Sequence, residues 1–378
     1  MTDSTLMKLA LRLARRGCGA TSPNPMVGAV LVKRGAVIGR GWHRQAGGPH
    51  AEVEALRDAA RRGHDPRGAT LHVTLEPCCT HGRTPPCTDA IIAAGITCVV
   101  VAATDPNPAH AGRGFRVLRR TGIEVVAGVL ADEAARLNEA FNHWIVHRTP
   151  FVTVKAAMTL DGKIATASGE SKWITGEAAR AEGMKLRRGA DAILVGVNTV
   201  LADDPALTAR TISNLKSPIS NPRLRRIILD SRARTPLTAK VVSDELAALT
   251  TIVVMNAAPA RRVAALAKRV NVWIAPSAGL PLGRSRVNPR WLLKKLGREN
   301  VTSLLVEGGG EVNAAFLLGG FAHRVVFFYA PKILGGRDSH KAVAGAGARS
   351  LAEAMTLREV EWRRVGDDLM MTALVSRG

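Results

Sequence analysis

The sequence ATLHVTLEPCCTHGRTPPCTDAIIAAGITCVVVAAT, at residues 69–104, contains a strand, a helix and a second strand in succession. Apolar residues alternate with others over 69–77, which is typical of a strand with one buried face. CTDAIIAAG, residues 87–95, follows two prolines and ends at a glycine, as helices often do. ITCVVVAAT, residues 96–104, is apolar nearly throughout and predicts a buried strand. This order of elements predicts an α/β fold.

The same alternation continues on both sides of this segment. It predicts helices at 4–16, 51–62 and 112–121 and strands at 26–32, 36–42 and 123–128. Together these elements predict an α/β/α sandwich around one sheet. A last helix, predicted over 132–148, leads to Thr149-Pro150, where we place a domain boundary. The predicted domains are therefore residues 1–148 and 149–378.

A second α/β pattern begins with the strand FVTVKAAMTL at residues 151–160. Six later apolar runs predict further strands, with helices between them: 191–196, 225–230, 251–255, 270–275, 303–308 and 324–331. Two segments, 211–223 and 279–290, have the composition of inserted loops. The second domain is therefore also expected to be built on a sheet.

Composition limits the class of protein and the kind of partner. The 378 residues carry 53 Lys and Arg against 31 Asp and Glu, a net charge of +22. The arginines are scattered rather than grouped in a basic tail, which favours an anionic small-molecule substrate over nucleic acid. The sequence has no apolar run of about eighteen residues that could span a bilayer. Its N-terminus is a poor secretory signal, so we expect a cytoplasmic protein without a membrane partner.

The five cysteines, at positions 18, 78, 79, 87 and 98, indicate metal binding or catalysis. Their odd count makes a poor disulfide framework. We interpret Cys18 and Cys98 as small core residues. The other three remain as candidates for a metal site.

His50-Ala51-Glu52, Pro77-Cys78 and Cys87 form the strongest functional pattern. One histidine and two thiolates leave zinc an open fourth position, and zinc lowers the pKa of water there toward about 7. A carboxylate that is not a ligand must then carry the proton from water to the leaving ammonia, and Glu52 fits that role. Cys87 opens a helix, whose N-terminus favours a thiolate. The pattern predicts one zinc ion per chain.

Two other residues compete for the ligand set. Cys79 adjoins Cys78, but in an extended backbone its side chain would point the other way. His72 lies in the middle of a predicted strand, where packing is the simpler interpretation. His43 could serve either the core or the site, and we leave it out of the predicted site.

The N-terminal residues resemble the zinc deaminases, whose signature joins H-x-E to P-C-x-x-C. This chain departs from that signature, with eight residues between its cysteines in PCCTHGRTPPC. That spacing, with TSPNPMVGAV and DPNPAHAGRGF, is similar to the deaminases of riboflavin biosynthesis. The resemblance implies that Asn24, His81 and Arg83 hold the substrate, although a turn or solvated-loop role remains open for each.

The second domain resembles the reductase half of the same enzymes, which has a dihydrofolate-reductase-like fold. The likeness is carried by FVTVKAAMTLDGKIATASGESKWITG, at 151–176, and DAILVGVNTVLADDPALTAR, at 191–210. A third segment, SLLVEGGGEVNAAFL at 303–317, gives strand, three glycines and helix. Free N–H groups at such a helix start suit a pyrophosphate, but the three glycines read by themselves favour a tight turn. The segment is not the G-x-G-x-x-G fingerprint.

The resemblance also implies roles for individual residues of the second domain. Ribose-phosphate binding is implied for Ser171, Arg187, Leu207 and Arg210. NADPH binding is implied for Ala157, Trp173, Thr199, Asp203, Ser231, Gly308, Gly309 and Gly310. Lys155 and Glu307 are the candidate polar groups near the reacting carbon.

Two consecutive reactions follow from the resemblance. The first is hydrolytic deamination of 2,5-diamino-6-ribosylamino-4(3H)-pyrimidinone 5′-phosphate. The second is NADPH-dependent reduction of the ribosyl group to ribityl. We also expect a homo-oligomer. Two alternatives remain: a nucleoside or tRNA adenosine deaminase with an unrelated second domain, and a basic nucleic-acid-binding protein with a structural zinc.

Overall fold

The structure, a computed structural model, describes residues 1–81, 85–209, 221, 223–276 and 286–376. The chain divides into two compact units, Met1–Arg148 and Thr149–Gly378. No helix in the described ranges is both long and apolar enough to span a membrane.

The first unit is built on a five-stranded sheet. Its strands are β1 (Gly28–Lys33), β2 (Ala36–Trp42), β3 (Thr70–Leu75), β4 (Cys98–Ala103) and β5 (Glu124–Ala127), in the order β2-β1-β3-β4-β5. Strand β1 pairs antiparallel with β2 and β3, whereas β3, β4 and β5 are parallel. Its helices are α1 (Asp3–Ala14), α2 (Ala51–Arg61), α3 (Cys87–Ala93), α4 (Arg113–Arg120), α5 (Ala131–Leu137) and α6 (Glu139–His147).

Strand β4 shows why the helices lie on both faces of this sheet. Val99 and Val101 are buried in a core with residues of α2, α3 and α4. Val100 and Ala102 are buried in a second core with residues of α1 and α5. Successive side chains of a strand point to opposite faces, so an apolar strand needs helices on both. The result is a three-layer α/β/α sandwich.

The prediction of one helix over 132–148 is wrong in one respect: the structure has two helices there, α5 and α6, which meet at Asn138. The Asn138 side chain accepts a hydrogen bond from the Met26 N–H at 2.8 Å and donates one to the Met26 carbonyl at 2.9 Å. Asn138 is buried and has φ −111°, which departs from helical backbone. This long-range contact outweighs the continuous helical pattern of the sequence.

The second unit has a nine-stranded sheet in the order β11-β10-β9-β8-β12-β6-β13-β16-β15. Strands up to β13 pair in parallel, while β16 and β15 are antiparallel additions. The strands are β6 (Phe151–Thr159), β7 (Lys163–Ala165), β8 (Ala192–Gly196), β9 (Arg225–Leu229), β10 (Thr250–Met255), β11 (Asn271–Ala275), β12 (Ser303–Val306), β13 (Arg324–Ala330), β14 (His340–Lys341), β15 (Leu357–Val365) and β16 (Asp368–Val375). Strands β7 and β14 pair separately as a short ribbon.

Helices cover both faces of the large sheet. They are α7 (Glu177–Gly189), α8 (Val197–Asp203), α9 (Lys240–Ser243), α10 (Ala260–Ala267), α11 (Pro289–Arg298) and α12 (Gly310–Leu317). Ala192 and Leu194 of β8 are buried with residues of α11 and α12. Ile193 and Val195 are buried with residues of α8, α9 and α10. The alternation that shapes the first sheet therefore also organises the second.

The sequence prediction missed the four strands β7, β14, β15 and β16. Strand β15, LREVEWRRV, is exposed along most of its length and has no apolar face that a pattern could reveal. Strands β7 and β14 are only three and two residues long. Of the two predicted loops, 211–223 is described only at residues 221 and 223. The other, 279–290, is described only from residue 286, and helix α11 begins inside it at Pro289.

Candidate active sites in the two units

Three side chains of the first unit converge as potential metal ligands. His50 precedes α2, Cys78 follows β3, and Cys87 is the first residue of α3. The His50 Nδ1 atom lies 3.1 Å from the Cys87 sulfur and 3.5 Å from the Cys78 sulfur. All three ligand atoms lie within 4.8 Å of one another. One nitrogen and two sulfurs at this spacing suit Zn²⁺ with a fourth position left open.

Glu76 holds the loop that carries Cys78, a role the sequence analysis missed. Its buried carboxylate accepts hydrogen bonds from the N–H groups of Asp105, Gly112 and Gly114 at 2.9–3.2 Å. A side chain at Gly114 would collide with the Pro77 carbonyl, immediately before Cys78. The motifs LEPC and DPNPAHAGRGF are thus hydrogen-bonded to each other, and together they fix the backbone next to Cys78.

The two thiols also show the electrostatics of a cation site. The hydrogen bond from Cys87 and the neighbouring His50 lower the pKa of the Cys78 thiol to about 4, against the effect of burial. The Cys87 N–H also donates to the Cys78 sulfur at 3.3 Å. The pKa of the Cys87 thiol is raised, because it bonds to the negatively charged Cys78 and because Cys87 is itself buried. A divalent cation bound by both sulfurs would remove this conflict and allow both thiols to ionise.

Glu52 lies in the first turn of α2, two residues after His50, and its side chain is 3% exposed. Its Oε2 atom is buried and has no hydrogen-bond partner among the described residues. Burial and the negative charge of Cys78 raise the pKa of Glu52 to about 7. A carboxyl group in this state can both accept and release a proton near neutral pH.

The other residues considered for this site fall in different places. The Asn24 side-chain nitrogen is 3.2 Å from His43 Nε2, and the His43 ring packs edge-on against that of His50. His81 is exposed in the loop after Cys78, and Arg83 lies outside the described residues. Cys79 is half-buried and is not part of the ligand group. His72 is buried in β3 and bonds to Asp3 at 2.8 Å.

A cavity of about 680 Å³ in the second unit collects most of the residues predicted there. Arg210 lies outside the described residues, and Ser231 and Gly310 are not among those lining the cavity. The predicted residues that do line it are Lys155, Ala157, Ser171, Trp173, Arg187, Thr199, Asp203, Leu207, Glu307, Gly308 and Gly309.

A half-buried charged triad forms part of the cavity wall. Glu307, immediately after β12, accepts two hydrogen bonds from Arg187 of α7 at 2.9 and 2.8 Å. Lys155 of the adjacent strand β6 places its Nζ atom 3.6 Å from the same carboxylate. Burial raises the pKa of Glu307, but the two cations outweigh it and lower the pKa to about 2. Glu307 is therefore an anion that orients Lys155, while Arg187 keeps only part of its donors for a ligand.

The segment 171–176 forms another part of the wall and carries two predicted residues. Ser171 donates to the Asp203 carboxylate at 3.2 Å. The Arg180 guanidinium lies 4.7 Å from the centre of the exposed Trp173 ring, and Lys332 donates to the Trp173 carbonyl at 3.0 Å. The sequence analysis did not select Arg180 or Lys332, because their contacts depend on how the segment folds back.

Two family models match the chain. The one described as "RibD C-terminal domain" matches residues 150–371. The one described as "Cytidine and deoxycytidylate deaminase zinc-binding region" matches residues 1–103. These matches confirm the predicted fold class of both halves and the predicted zinc cofactor, and the match to the RibD C-terminal domain is consistent with NADPH.

Similar proteins are found over the whole chain. The riboflavin biosynthesis protein RibD of Aquifex aeolicus (strain VF5) is 46% identical over 369 residues, covering 98% of this chain and 97% of that protein. The structure of Acinetobacter baumannii RibD, form 1, has a TM-score of 0.85 at 36% identity and covers 99% of both chains. The Thermotoga maritima structure described as a diaminohydroxyphosphoribosylaminopyrimidine deaminase/5-amino-6-(5-phosphoribosylamino)uracil reductase has a TM-score of 0.82, also at 36% identity and 99% coverage.

Proposed function

Because the chain belongs to the RibD family of riboflavin biosynthesis proteins, we propose that it is a bifunctional enzyme of that pathway. Residues 1–148 deaminate 2,5-diamino-6-ribosylamino-4(3H)-pyrimidinone 5′-phosphate. Residues 149–378 reduce the ribosyl group of the product, 5-amino-6-(5-phosphoribosylamino)uracil, to ribityl. The cofactors are Zn²⁺ and NADPH.

The observation that carries this proposal is the buried Glu52 carboxyl group, whose Oε2 atom has no hydrogen-bond partner among the described residues, beside the His50, Cys78 and Cys87 group. A structural zinc site usually closes its fourth position with another cysteine or histidine. Here the residue beside the three ligands is Glu52, a buried acid with a pKa of about 7, rather than a fourth cysteine or histidine. The arrangement favours hydrolysis over a purely structural metal.

The residues of the first unit divide the work of deamination. When bound, zinc activates water for attack on the pyrimidine carbon. Glu52 accepts a proton from the attacking water and delivers one to the departing ammonia. Asn24 holds the pyrimidine, while His81 and Arg83 reach its phosphate. Arg is suited to phosphate because its planar fork can bind two oxygens at once.

In the second unit, NADPH supplies the hydride, and the protein positions and polarises the sugar. Lys155, held by Glu307, stabilises the negative charge that develops on the sugar oxygen. The remaining N–H donors of Arg187, together with Ser171, Leu207 and Arg210, bind the ribose phosphate. Ala157, Trp173, Thr199, Asp203, Ser231 and the glycines 308–310 bind the cofactor.

The direct test is to give the purified protein the diaminopyrimidine substrate with and without NADPH and to identify the products. We expect ammonia in both reactions and the ribityl product only with NADPH. Glu52→Gln should keep zinc but lose at least about a hundredfold in ammonia release, because the amide cannot accept the proton. Glu54→Gln is the matched control, since Glu54 lies on the same helix and pairs with Arg44 and Arg57.

Near-normal ammonia release by Glu52→Gln would refute the role of Glu52. Stoichiometric zinc without ammonia release by the parent protein would favour a structural metal and refute deamination. Ammonia release without oxidation of NADPH would confine the activity to the first unit.

We also infer that the enzyme is a homo-oligomer. The edge strand β15 carries Val360 and Trp362 exposed at 46% and 59%, and Leu369 of β16 is exposed at 43%. An edge strand with exposed large apolar side chains can pair with a second copy. Sedimentation equilibrium should give a mass above that of one chain, and Trp362→Arg should shift it toward the monomer. A monomeric parent protein at micromolar concentration would refute this inference.

The cytoplasm is the proposed compartment. None of the five cysteines forms a disulfide, which is the state that a reducing compartment preserves. Fractionation of the source cells with an antibody against the chain would test this, and recovery outside the cytoplasm would refute it.

A further inference from the structure

A chain of hydrogen bonds runs from the Pro49 carbonyl through His43 to Asn24. His43 is 2% exposed, with its Nδ1 atom 3.0 Å from the Pro49 oxygen and its Nε2 atom 3.2 Å from the Asn24 amide nitrogen. The His43 ring also packs edge-on against His50, with centroids 5.3 Å apart. His43 therefore links a metal-ligand side chain to a residue assigned to the substrate.

The partners of His43 determine where its proton sits. A carbonyl oxygen can only accept a hydrogen bond, so Nδ1 must carry the hydrogen that points to Pro49. In the neutral ring Nε2 is then an acceptor, and the group facing it must be a donor. Of the two ends of the Asn24 amide, only the NH₂ group satisfies this requirement.

This constraint also settles the other end of the Asn24 amide. One N–H of the NH₂ group donates to His43, which fixes which end of the amide is Nδ2 and which is Oδ1, and no hydrogen bond to Oδ1 is found among the described residues. The backbone on either side is held as well. The Asn24 N–H donates to the Thr21 carbonyl at 2.8 Å, and Met26 is fixed by Asn138. Asn24 therefore offers an acceptor from a fixed position.

We propose that His43 is a positioning residue for deamination. It fixes the orientation of the Asn24 amide so that Oδ1 accepts a hydrogen bond from a ring N–H or amino group of the pyrimidine. The inference rests on the proposed function, because it assumes that Asn24 holds the substrate. It adds that the Oδ1 atom of Asn24 is oriented as an acceptor and that His43 fixes this orientation.

Two substitutions separate the two hydrogen bonds of His43. In His43→Asn the side-chain amide can still donate to Pro49 but does not extend to Asn24. In His43→Gln the longer amide places an oxygen where Nε2 lay and can accept from Asn24. We expect His43→Asn to lower kcat/KM for ammonia release about tenfold, mainly through KM, which is the range of one neutral hydrogen bond. His43→Gln should recover most of that loss.

The decisive measurement is a double-mutant cycle with Asn24→Ala. If His43 acts through Asn24, His43→Asn should change kcat/KM less than about twofold once Asn24 is absent. Each variant should keep one zinc and should reduce the deaminated substrate with NADPH at the parent rate. His72→Asn is the matched control, because His72 is equally buried in the same unit but bonds to Asp3.

Several outcomes would overturn the proposal. The losses of kcat/KM in His43→Asn and Asn24→Ala could multiply in the double variant. His43→Gln could be no more active than His43→Asn. His43→Asn could also lose its zinc. Each would mean that His43 acts on the metal site or on stability rather than through Asn24. If Asn24→Ala alone leaves deamination unchanged, the assignment of Asn24 to the substrate fails first. If the parent protein releases no ammonia, the proposed function itself fails.

Discussion

Cys79 and Cys87 offer two thiols that could join Cys78 at the metal, but only Cys87 lies in the ligand group. We expect Cys87→Ser to lose zinc and deamination together, because a structural or catalytic zinc site loses affinity when a thiolate ligand is removed. Cys79→Ser is the control and should keep both. Metal content of the purified variants, measured beside ammonia release, checks the assignment. Full zinc in Cys87→Ser with loss in Cys79→Ser would reverse it.

Glu307 should make the stability of the protein depend on pH in the acid range. Its pKa in the folded protein is about 2, below the ordinary 4.5, so folding favours the ionised form. The stabilisation is complete above the ordinary value and is lost as pH falls through it toward the folded pKa. Between about pH 6 and pH 3.5 this amounts to roughly 1 kcal/mol.

Urea unfolding of the parent protein and of Glu307→Gln at the two pH values measures this contribution. The parent should lose about 1 kcal/mol more of its free energy of unfolding than the variant does. Equal losses in both proteins would show that Glu307 is not ionised preferentially in the folded state.

At the scale of elements, the cavity segment 171–176 depends on anchors from distant parts of the second unit. The buried Asp368, at the start of β16, accepts a hydrogen bond from the Gly176 N–H at 2.8 Å. Lys332, just after β13, holds the Trp173 carbonyl. A segment without regular structure keeps its shape only if its backbone groups find such partners.

Removing one anchor should loosen the segment and weaken reduction alone. We expect Asp368→Leu to raise KM for NADPH and for the reductase substrate about tenfold, since it leaves a backbone donor unsatisfied. Asp368→Asn, which retains an acceptor oxygen, should stay closer to the parent, and ammonia release should be unchanged in both. Steady-state kinetics of NADPH oxidation supplies the measurement. An unchanged KM in Asp368→Leu would exclude this anchoring role.

At the scale of the whole molecule, the two activities should be separable. The proposed deaminase residues all precede Arg148, and the proposed reductase residues all follow Thr149, in different compact units. Glu52→Gln should still reduce the deaminated substrate, and Lys155→Met should still release ammonia. A mixture of the two variants, given the diaminopyrimidine substrate and NADPH, should form the ribityl product that neither forms alone.

Product analysis by mass spectrometry decides this prediction. Failure of the mixture, with each variant folded and active in its remaining step, would mean that the intermediate does not pass through solution. Loss of both steps in Glu52→Gln, with zinc retained, would indicate one shared site.

The α/β class of both units, the grouping of His50, Cys78 and Cys87, and the place of Glu52 beside them were predictable from the residues, because their signals are local. His50 and Glu52 are two positions apart, Cys78 and Cys87 border one loop, and strand and helix periods repeat over short windows. The family likeness rests on the same short motifs. Such patterns indicate which reaction the residues could catalyse, but they do not show which residues far apart in the sequence come into contact.

Only the tertiary structure decided which distant groups share a site. Arg187 and Glu307 are 120 residues apart, and their pairing appears only when the chain folds and brings α7 and the residue after β12 together. Asn138 breaks a helix to hold Met26 across 112 residues, and Asp368 reaches Gly176 across 192. The strand β15 carries no apolar period and exists because β16 is beside it. Hydrogen bonds and charges are satisfied in space, so a pattern along the chain does not reveal their partners.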